Sequence, residues 1–162
     1  MDIKLFITDV DGTLTDGKLY FGNEGELFKR FDIKDGYGIY FLLATNNIKP
    51  VVITGRKSQI VEKRCQDLGI EECYQGVKDK KKLINEILKK HKCKCSNVAY
   101  IGDDLNDFEC MQMIKENGGI TGCPNDAIDE IKSLAEFNSK YNGGCGAVRE
   151  FIEHIIKKGV KQ

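Results

Sequence analysis

Apolar residues in this chain follow two rhythms. Short unbroken runs rich in β-formers, "IKLFITDV" (3–10), "KPVVITGR" (49–56) and "NVAYIGD" (97–103), end at turn chemistry and read as buried strands. "ECYQGV" (72–77) and "GGITGCP" (118–124) read as shorter ones. Between these runs apolar positions recur at helical spacing. "DGYGIYFLLATNN" (35–47) sets Ile39, Leu42 and Leu43 on one side. "KSQIVEKRCQDLGI" (57–70) does so with Ile60, Val61 and Leu68, and Gly69 supplies a stop. "KDKKKLINEILKKHK" (78–92), "LNDFECMQMIKENG" (105–118) and "DAIDEIKSLA" (126–135) continue the pattern. "GAVREFIEHIIKKG" (146–159) carries a stripe of Val148, Phe151, Ile152, Ile155 and Ile156, which is core packing rather than a partner helix. One segment differs. "KLYFGNEGELFKRF" (18–31) has two aromatic arms around "GNEGE" and reads as a β-hairpin.

Strands alternating with helices imply an α/β fold, a parallel sheet covered by helices. Ligands in such folds bind beyond the carboxyl ends of the strands. Asp9 follows the first strand, Thr54 the second and Asp103 a later one, so all three point toward one edge and can converge.

The 162 residues suit one domain with a sizeable core. Twenty-five basic and 25 acidic side chains cancel, which gives no support for a nucleic-acid partner. No apolar run approaches a membrane span, and the amino terminus lacks a basic leader with a small-residue cleavage site, so a cytoplasmic location is expected. The seven cysteines, odd in number and scattered, argue against a disulfide framework. "HKCKC" (91–95) offers at most three ligands without a second Cys/His pair, and reads as a solvated turn with reduced thiols rather than a zinc site. His91 and His154 have no catalytic context, and no His–base arrangement accompanies Cys145.

The acidic pattern changes the picture. Asp9 and Asp11 lie two apart, and Asp103, Asp104 and Asp107 crowd "GDDLND". Carboxylates gathered at one point repel, and a hard divalent cation resolves the repulsion. Mg²⁺ is commonly held by one or two carboxylates plus a phosphate. The cluster therefore predicts Mg²⁺ and a phosphorylated ligand. Thr54 and nearby backbone N–H groups can bind phosphate oxygens, Lys80 can neutralise them, and Gly12 lets the backbone approach a ligand closely.

"DVDGTLT", "ITGR", the lysine of "KDKKK" and "GDDLND" resemble, in order, the four motifs of the haloacid-dehalogenase-like phosphatases, along essentially the whole chain. The resemblance implies a doubly wound, Rossmann-like sheet with helices on both faces and two-step phosphoryl transfer. Asp9 is then the nucleophile, and Asp11 the general acid and base. Asp9, Asp103 and the carbonyl of Asp11 hold Mg²⁺. Asp104 and Asp107 support the site from behind, and Thr54 and Lys80 bind the transferring group.

Such enzymes usually carry a cap domain. Here the intervals between the motifs have room only for a hairpin flap (about 17–31) and single helices, so a single capless unit over 1–162 is expected. The chain is most similar to the capless phosphatases of 3-deoxy-D-manno-octulosonate 8-phosphate, through "ITDVDGTLTDG", "DIKDGYGI", "ITGR", "RCQDLGI", "YQGVKDK" and "GGCGAVRE". That likeness implies a homotetramer whose hairpins join and whose subunits roof one another's sites. It also implies a glycine-rich segment able to enter an adjacent site, and a role in lipopolysaccharide synthesis. A sister group acting on nonulosonate 9-phosphates carries glutamate at the position of Arg56, so Arg56 and Arg64, with Gly55, are the candidate contacts to the sugar acid. A phosphate-accepting regulatory module is the rival from another class; such modules lack a carboxylate at the position of Asp11.

Overall fold

The computed structural model describes residues 2–159; Met1 of the amino-terminal stretch and the last three residues of the expected unit lie outside them. The first apolar run forms β1 (Leu5–Thr8) and the aromatic arms form the hairpin β2 (Tyr20–Gly22) and β3 (Gly25–Phe28). The later runs give β4 (Lys49–Ile53), β5 (Glu72–Tyr74), β6 (Val98–Ile101) and β7 (Ile120–Cys123). A two-residue edge strand, β8 (Phe137–Asn138), was not expected, because two residues are too few to show a period.

The main sheet runs β5-β4-β1-β6-β7-β8, with every pairing parallel. Strand residues alternate between two cores. Phe6, Val52, Ala99 and Ile101 face one, while Leu5, Ile7, Val51, Ile53, Val98 and Tyr100 face the other. Both faces are covered, so the runs are apolar throughout rather than alternating. The first core is closed by α1 (Ile33–Tyr37) with its continuation, α2 (Gln59–Asp67) and α6 (Ala147–Gly159). The second is closed by α3 (Lys80–Lys90), α4 (Leu105–Glu116) and α5 (Asp129–Leu134). This is the doubly wound α/β arrangement.

The first helix departs from the expectation at both ends. It begins at Ile33 rather than Asp35, because Asp32 caps it, accepting from the N–H of Lys34 at 2.7 Å and of Asp35 at 3.1 Å. Asp35 is buried and bonds instead to the first turn of α6, accepting from Arg149 N–H at 2.7 Å and Gly146 N–H at 3.2 Å. Residues Gly38–Leu43 then widen into a π-helical turn, which leaves Tyr40 and Phe41 exposed while Ile39 and Leu43 stay in the core.

Chain order fixes where a ligand can sit. From β1 the chain steps to β4 and β5, then returns to β6 on the other side of β1 and continues to β7 and β8. The direction reverses between β1 and β6, and the crevice of such a sheet opens above that reversal. Asp9 and Asp103 occupy those two strand ends.

Candidate active site

Asp9 extends the ladder of β1, its N–H bonding to Ile101 O of β6 at 3.1 Å. The next turn is tight: the N–H groups of Thr13, Leu14 and Thr15 all converge on Val10 O at 2.9–3.2 Å. Gly12 sits in this turn at φ +91°, and a Cβ there would lie 2.0 Å from Asp103 Oδ2. Its missing side chain makes room for Asp103. Thr13 Oγ1 donates to Asp103 Oδ1 at 2.8 Å and so aims that carboxylate at Asp9.

Carboxylate oxygens of Asp9, Asp103 and Asp107 lie within 4.8 Å of one another. Lys80, at the start of α3, reaches into the cluster and donates to Asp9 Oδ1 at 2.9 Å and Asp107 Oδ1 at 2.8 Å. Besides Lys80, Asp107 accepts from Tyr100 Oη at 2.6 Å, from Asp103 N–H at 3.1 Å and from Asp104 N–H at 3.5 Å, so its lone pairs are engaged in orienting its neighbours. Tyr100, wholly buried beneath the cluster, was missed in the sequence because it sits within an apolar strand and looks like core.

Three carboxylates face one ammonium here, leaving two negative charges without a partner. Burial, with the Asp9 charge beside it, pushes the Asp103 carboxyl up to about 8 despite the Thr13 hydrogen bond. Burial and repulsion from Asp107 likewise raise Asp9 against the pull of Lys80. An all-oxygen donor set with this excess of charge fits a hard divalent cation.

The remaining candidates are placed as follows. Thr54 is buried at the end of β4, its hydroxyl without a hydrogen-bond partner among the described residues, and Gly55 is exposed beside it. Asp104 does not join the cluster; it is the N-cap of α4, accepting from Leu105 N–H at 2.7 Å. Arg56 turns toward the hairpin, 5.9 Å from the Phe21 ring and 3.7 Å from Glu26 Oε1. Arg64 is not brought to the carboxylates; its guanidinium lies over Phe31 at 5.6 Å and against Gly36. Asp11 is paired with Lys29, a hairpin residue that no motif or period marked.

Within this chain the glycine-rich segment lies beside the loop that follows β1. It packs on this chain's own loop: Gly144 N–H bonds to Thr13 O at 3.1 Å and Gly143 N–H to Asp126 Oδ1 at 2.8 Å. A Cβ on Gly143 would lie 2.0 Å from Gly12 O, so only glycine lets the two backbones touch. In "HKCKC" His91 Nε2 is committed to Glu72 at 2.7 Å, and the seven cysteines form no disulfide.

Comparison with known proteins agrees with this construction. A family model described as haloacid dehalogenase-like hydrolase matches residues 39–115. The 3-deoxy-D-manno-octulosonate 8-phosphate phosphatase KdsC of Salmonella typhi is 42% identical over 155 residues, 96% of this chain and 80% of that one. The crystal structure of the corresponding Yersinia pestis phosphatase superposes with a TM-score of 0.88 at 40% identity, covering 96% of this chain and 81% of that one. That of the Moraxella catarrhalis phosphatase, in complex with magnesium ion, phosphate ion and a KDO molecule, gives 0.88 at 36% identity, covering 96% and 86%. Matched along 96% of its length at 36–42% identity, the chain belongs to the 3-deoxy-D-manno-octulosonate 8-phosphate phosphatase family of haloacid dehalogenase-like hydrolases.

Proposed function

We propose that this chain is a Mg²⁺-dependent phosphatase that hydrolyses 3-deoxy-D-manno-octulosonate 8-phosphate to the free sugar acid and phosphate. The observation that carries the reading is the meeting of Asp9, Asp103 and Lys80 above the sheet's reversal point, with Asp11 two residues beyond Asp9. The carboxylates of Asp9 and Asp103 and the carbonyl of Asp11 would hold Mg²⁺, which when bound supplies charge neutralisation for the phosphoryl oxygens.

An Asp9 carboxylate oxygen attacks phosphorus, and the bond from phosphorus to the sugar oxygen breaks with its electron pair leaving on that oxygen. Asp11 gives that oxygen a proton, so the sugar departs as an alcohol and Asp9 is left as an aspartyl-phosphate. Asp11, now ionised, takes a proton from water. The water oxygen attacks phosphorus, the bond to Asp9 breaks, and phosphate leaves with Asp9 restored. Lys80 holds Asp9 in line and, with Thr54, binds the transferring group. Asp107 and Tyr100 hold Lys80 in place.

The whole chain serves as one capless unit, and the partner that closes it is a second copy of itself. Phe21, Leu27 and Phe28 stand 57%, 63% and 52% exposed on the hairpin, which supports a homotetramer in which neighbouring subunits cover each site. Free thiols suit a reducing cytoplasm. Among the described residues no helix is long and apolar enough to cross a membrane.

Initial rates of phosphate release from 3-deoxy-D-manno-octulosonate 8-phosphate and from a nonulosonate 9-phosphate, each with Mg²⁺, test the reading. The octulosonate is turned over faster, and Asp9→Asn turns over neither. Equal, feeble rates would remove the substrate assignment, and preference for the nonulosonate would reassign it. A stable phosphorylated Asp9 with no release from either would make the chain a phosphate-accepting module.

A further inference from the structure

The hairpin β2–β3 forms a sheet of its own, with no ladder to the main sheet. Segments so placed normally present their charges to water. Lys29, one residue beyond β3, does the reverse: its side chain is 2% exposed, as enclosed as that of Lys80 at 3%. Its backbone is held there by the neighbouring bridge between Phe31 and Thr15, which pins the returning strand to the loop that carries Asp11.

The ammonium has two partners. It donates to Asp11 Oδ1, and it pairs with Glu26 Oε1 at 2.9 Å. Glu26 is anchored in turn, Oε2 accepting from Ser58 Oγ at 2.5 Å, with Arg56 3.7 Å from Oε1. A continuous polar chain thus runs from the loop after β1, through the hairpin, to the loop after β4. Both loops carry candidate catalytic residues.

The carboxylates of the site differ in what orients them. Asp9 is held by Lys80, Asp103 by Thr13, and Asp107 by Lys80, Tyr100 and a backbone N–H. Asp11 has one side-chain partner among the described residues, and it is Lys29. Its side chain is 22% exposed, so one oxygen is gripped from the hairpin while Oδ2 has no hydrogen-bond partner among the described residues. An acid and base that must meet a leaving oxygen and then a water needs such a fixed direction, because misplacement by about 1 Å costs about 100-fold in rate.

We infer that Lys29 is a positioning residue for the phosphatase reaction: through its ion pair it aims Asp11 at the leaving-group oxygen, and it makes the docked hairpin a working part of the site. The inference rests on the phosphatase reading, in which Asp11 gives and takes the proton. Lys29 itself touches neither phosphorus nor the reacting oxygens. A buried ion pair is weak grounds for stability, so the pair is explained better by what it orients than by what it stabilises.

Leaving-group chemistry separates this role from a structural one. A sugar alkoxide needs a proton as it departs; p-nitrophenolate does not. Single-turnover release of the alcohol or phenol, with Mg²⁺ present, reports the first step alone. For Lys29→Met that step slows about 100-fold with 3-deoxy-D-manno-octulosonate 8-phosphate but less than about fivefold with p-nitrophenyl phosphate. KM stays within about threefold, and Lys29→Arg recovers part of the loss. The ratio between the two substrates, measured on one preparation, is independent of the folded fraction. If Lys29→Met yields no folded protein, Lys29→Gln supplies the same ratio. Equal losses on both substrates would overturn the inference in favour of a structural lysine, and a rise in KM without a fall in the first step would overturn it in favour of direct phosphate binding. Wild-type protein inert toward both substrates would overturn the phosphatase reading and the role of Lys29 with it, whereas active wild type with an unchanged ratio overturns Lys29 alone.

Discussion

The two ends of the central sheet bury carboxylates to similar depth in opposite company. At the carboxyl end Asp9 is 3% exposed; at the amino end Glu72, the first residue of β5, is 6% exposed. Asp9 shares one lysine with Asp107 and has Asp103 close by, so negative charge is in excess. Glu72 is surrounded by donors: Tyr74 at 2.7 Å, His91 at 2.7 Å, Lys90 at 3.1 Å and Lys49 at 3.3 Å. Burial acts on both groups in the same direction. At Glu72 the hydrogen bonds from Tyr74, Lys90 and His91 overcome it and hold the carboxyl near 2, while at Asp103 the neighbouring carboxylates add to it and the carboxyl stands near 8. Burial alone therefore does not make a reactive site. A surplus of like charge does, because it leaves the folded chain in need of a cation.

Asp9→Asn tests the contrast most severely. Turnover falls at least about 10⁴-fold, yet the melting temperature in EDTA rises, because a repelled, buried charge is gone. A lower melting temperature would mean that Asp9 contributes net stability and would erase the distinction between the two ends. Withdrawal of Mg²⁺ comes next. Phosphate release stops in EDTA, and restoring the ion to about 100 times its dissociation constant stabilises the fold by about 2.7 kcal/mol. That corresponds to about 5–10 °C in a calorimetric scan for a chain of this size.

Glu72→Gln gives the complementary result. It strands Lys90 and His91 and leaves Lys49 to Glu71, but the lysines are partly exposed, so the loss is about 2 kcal/mol, or about 4–8 °C, with kcat within about twofold of wild type. A large fall in kcat would show that the amino end is not a purely structural anchor. The smallest effect is in pH. A raised carboxyl stabilises the fold fully below its unfolded value and loses that contribution as pH climbs through the folded one. In metal-free protein Asp103, ordinarily near 3.8, thus lowers the melting temperature as pH rises from about 4 to about 8. Glu72, ordinarily near 4.5 and depressed to about 2, stabilises above its ordinary value and loses this as pH falls toward 2. Asp103→Asn flattens the first slope and Glu72→Gln the second; a single variant that flattened both would contradict their independence.

How far the site could be read in advance follows the same division. Asp9, Thr54 and Asp103 were legible because a strand's period and its end are local properties, and in a parallel sheet those ends share an edge. Lys29 was not: in "ELFKRF" it stands beside another basic residue, and alternation sets the two on opposite faces without saying which is enclosed. Glycines 12 and 143 were visible as glycines, but not that they make room for Asp103 and for Gly12 O. Arg64 was visible as a charge, but not that α2 sets its guanidinium over Phe31 within this chain. The π-helical turn and the two-residue β8 were too short for any period to announce.

By itself the sequence determined the order of strands and helices, the apolar faces that must be buried, and the presence of more acid at the strand ends than the chain could leave unpaired. Each depends on neighbours a few positions apart, within reach of backbone geometry and hydrophobic periodicity. Tertiary structure alone decided which carboxylate meets which lysine, since Lys80 and Asp9 are 71 positions apart and Lys29 and Asp11 are 18. Electrostatic energy depends on distance through space, and that distance exists only once the sheet has brought the loops together.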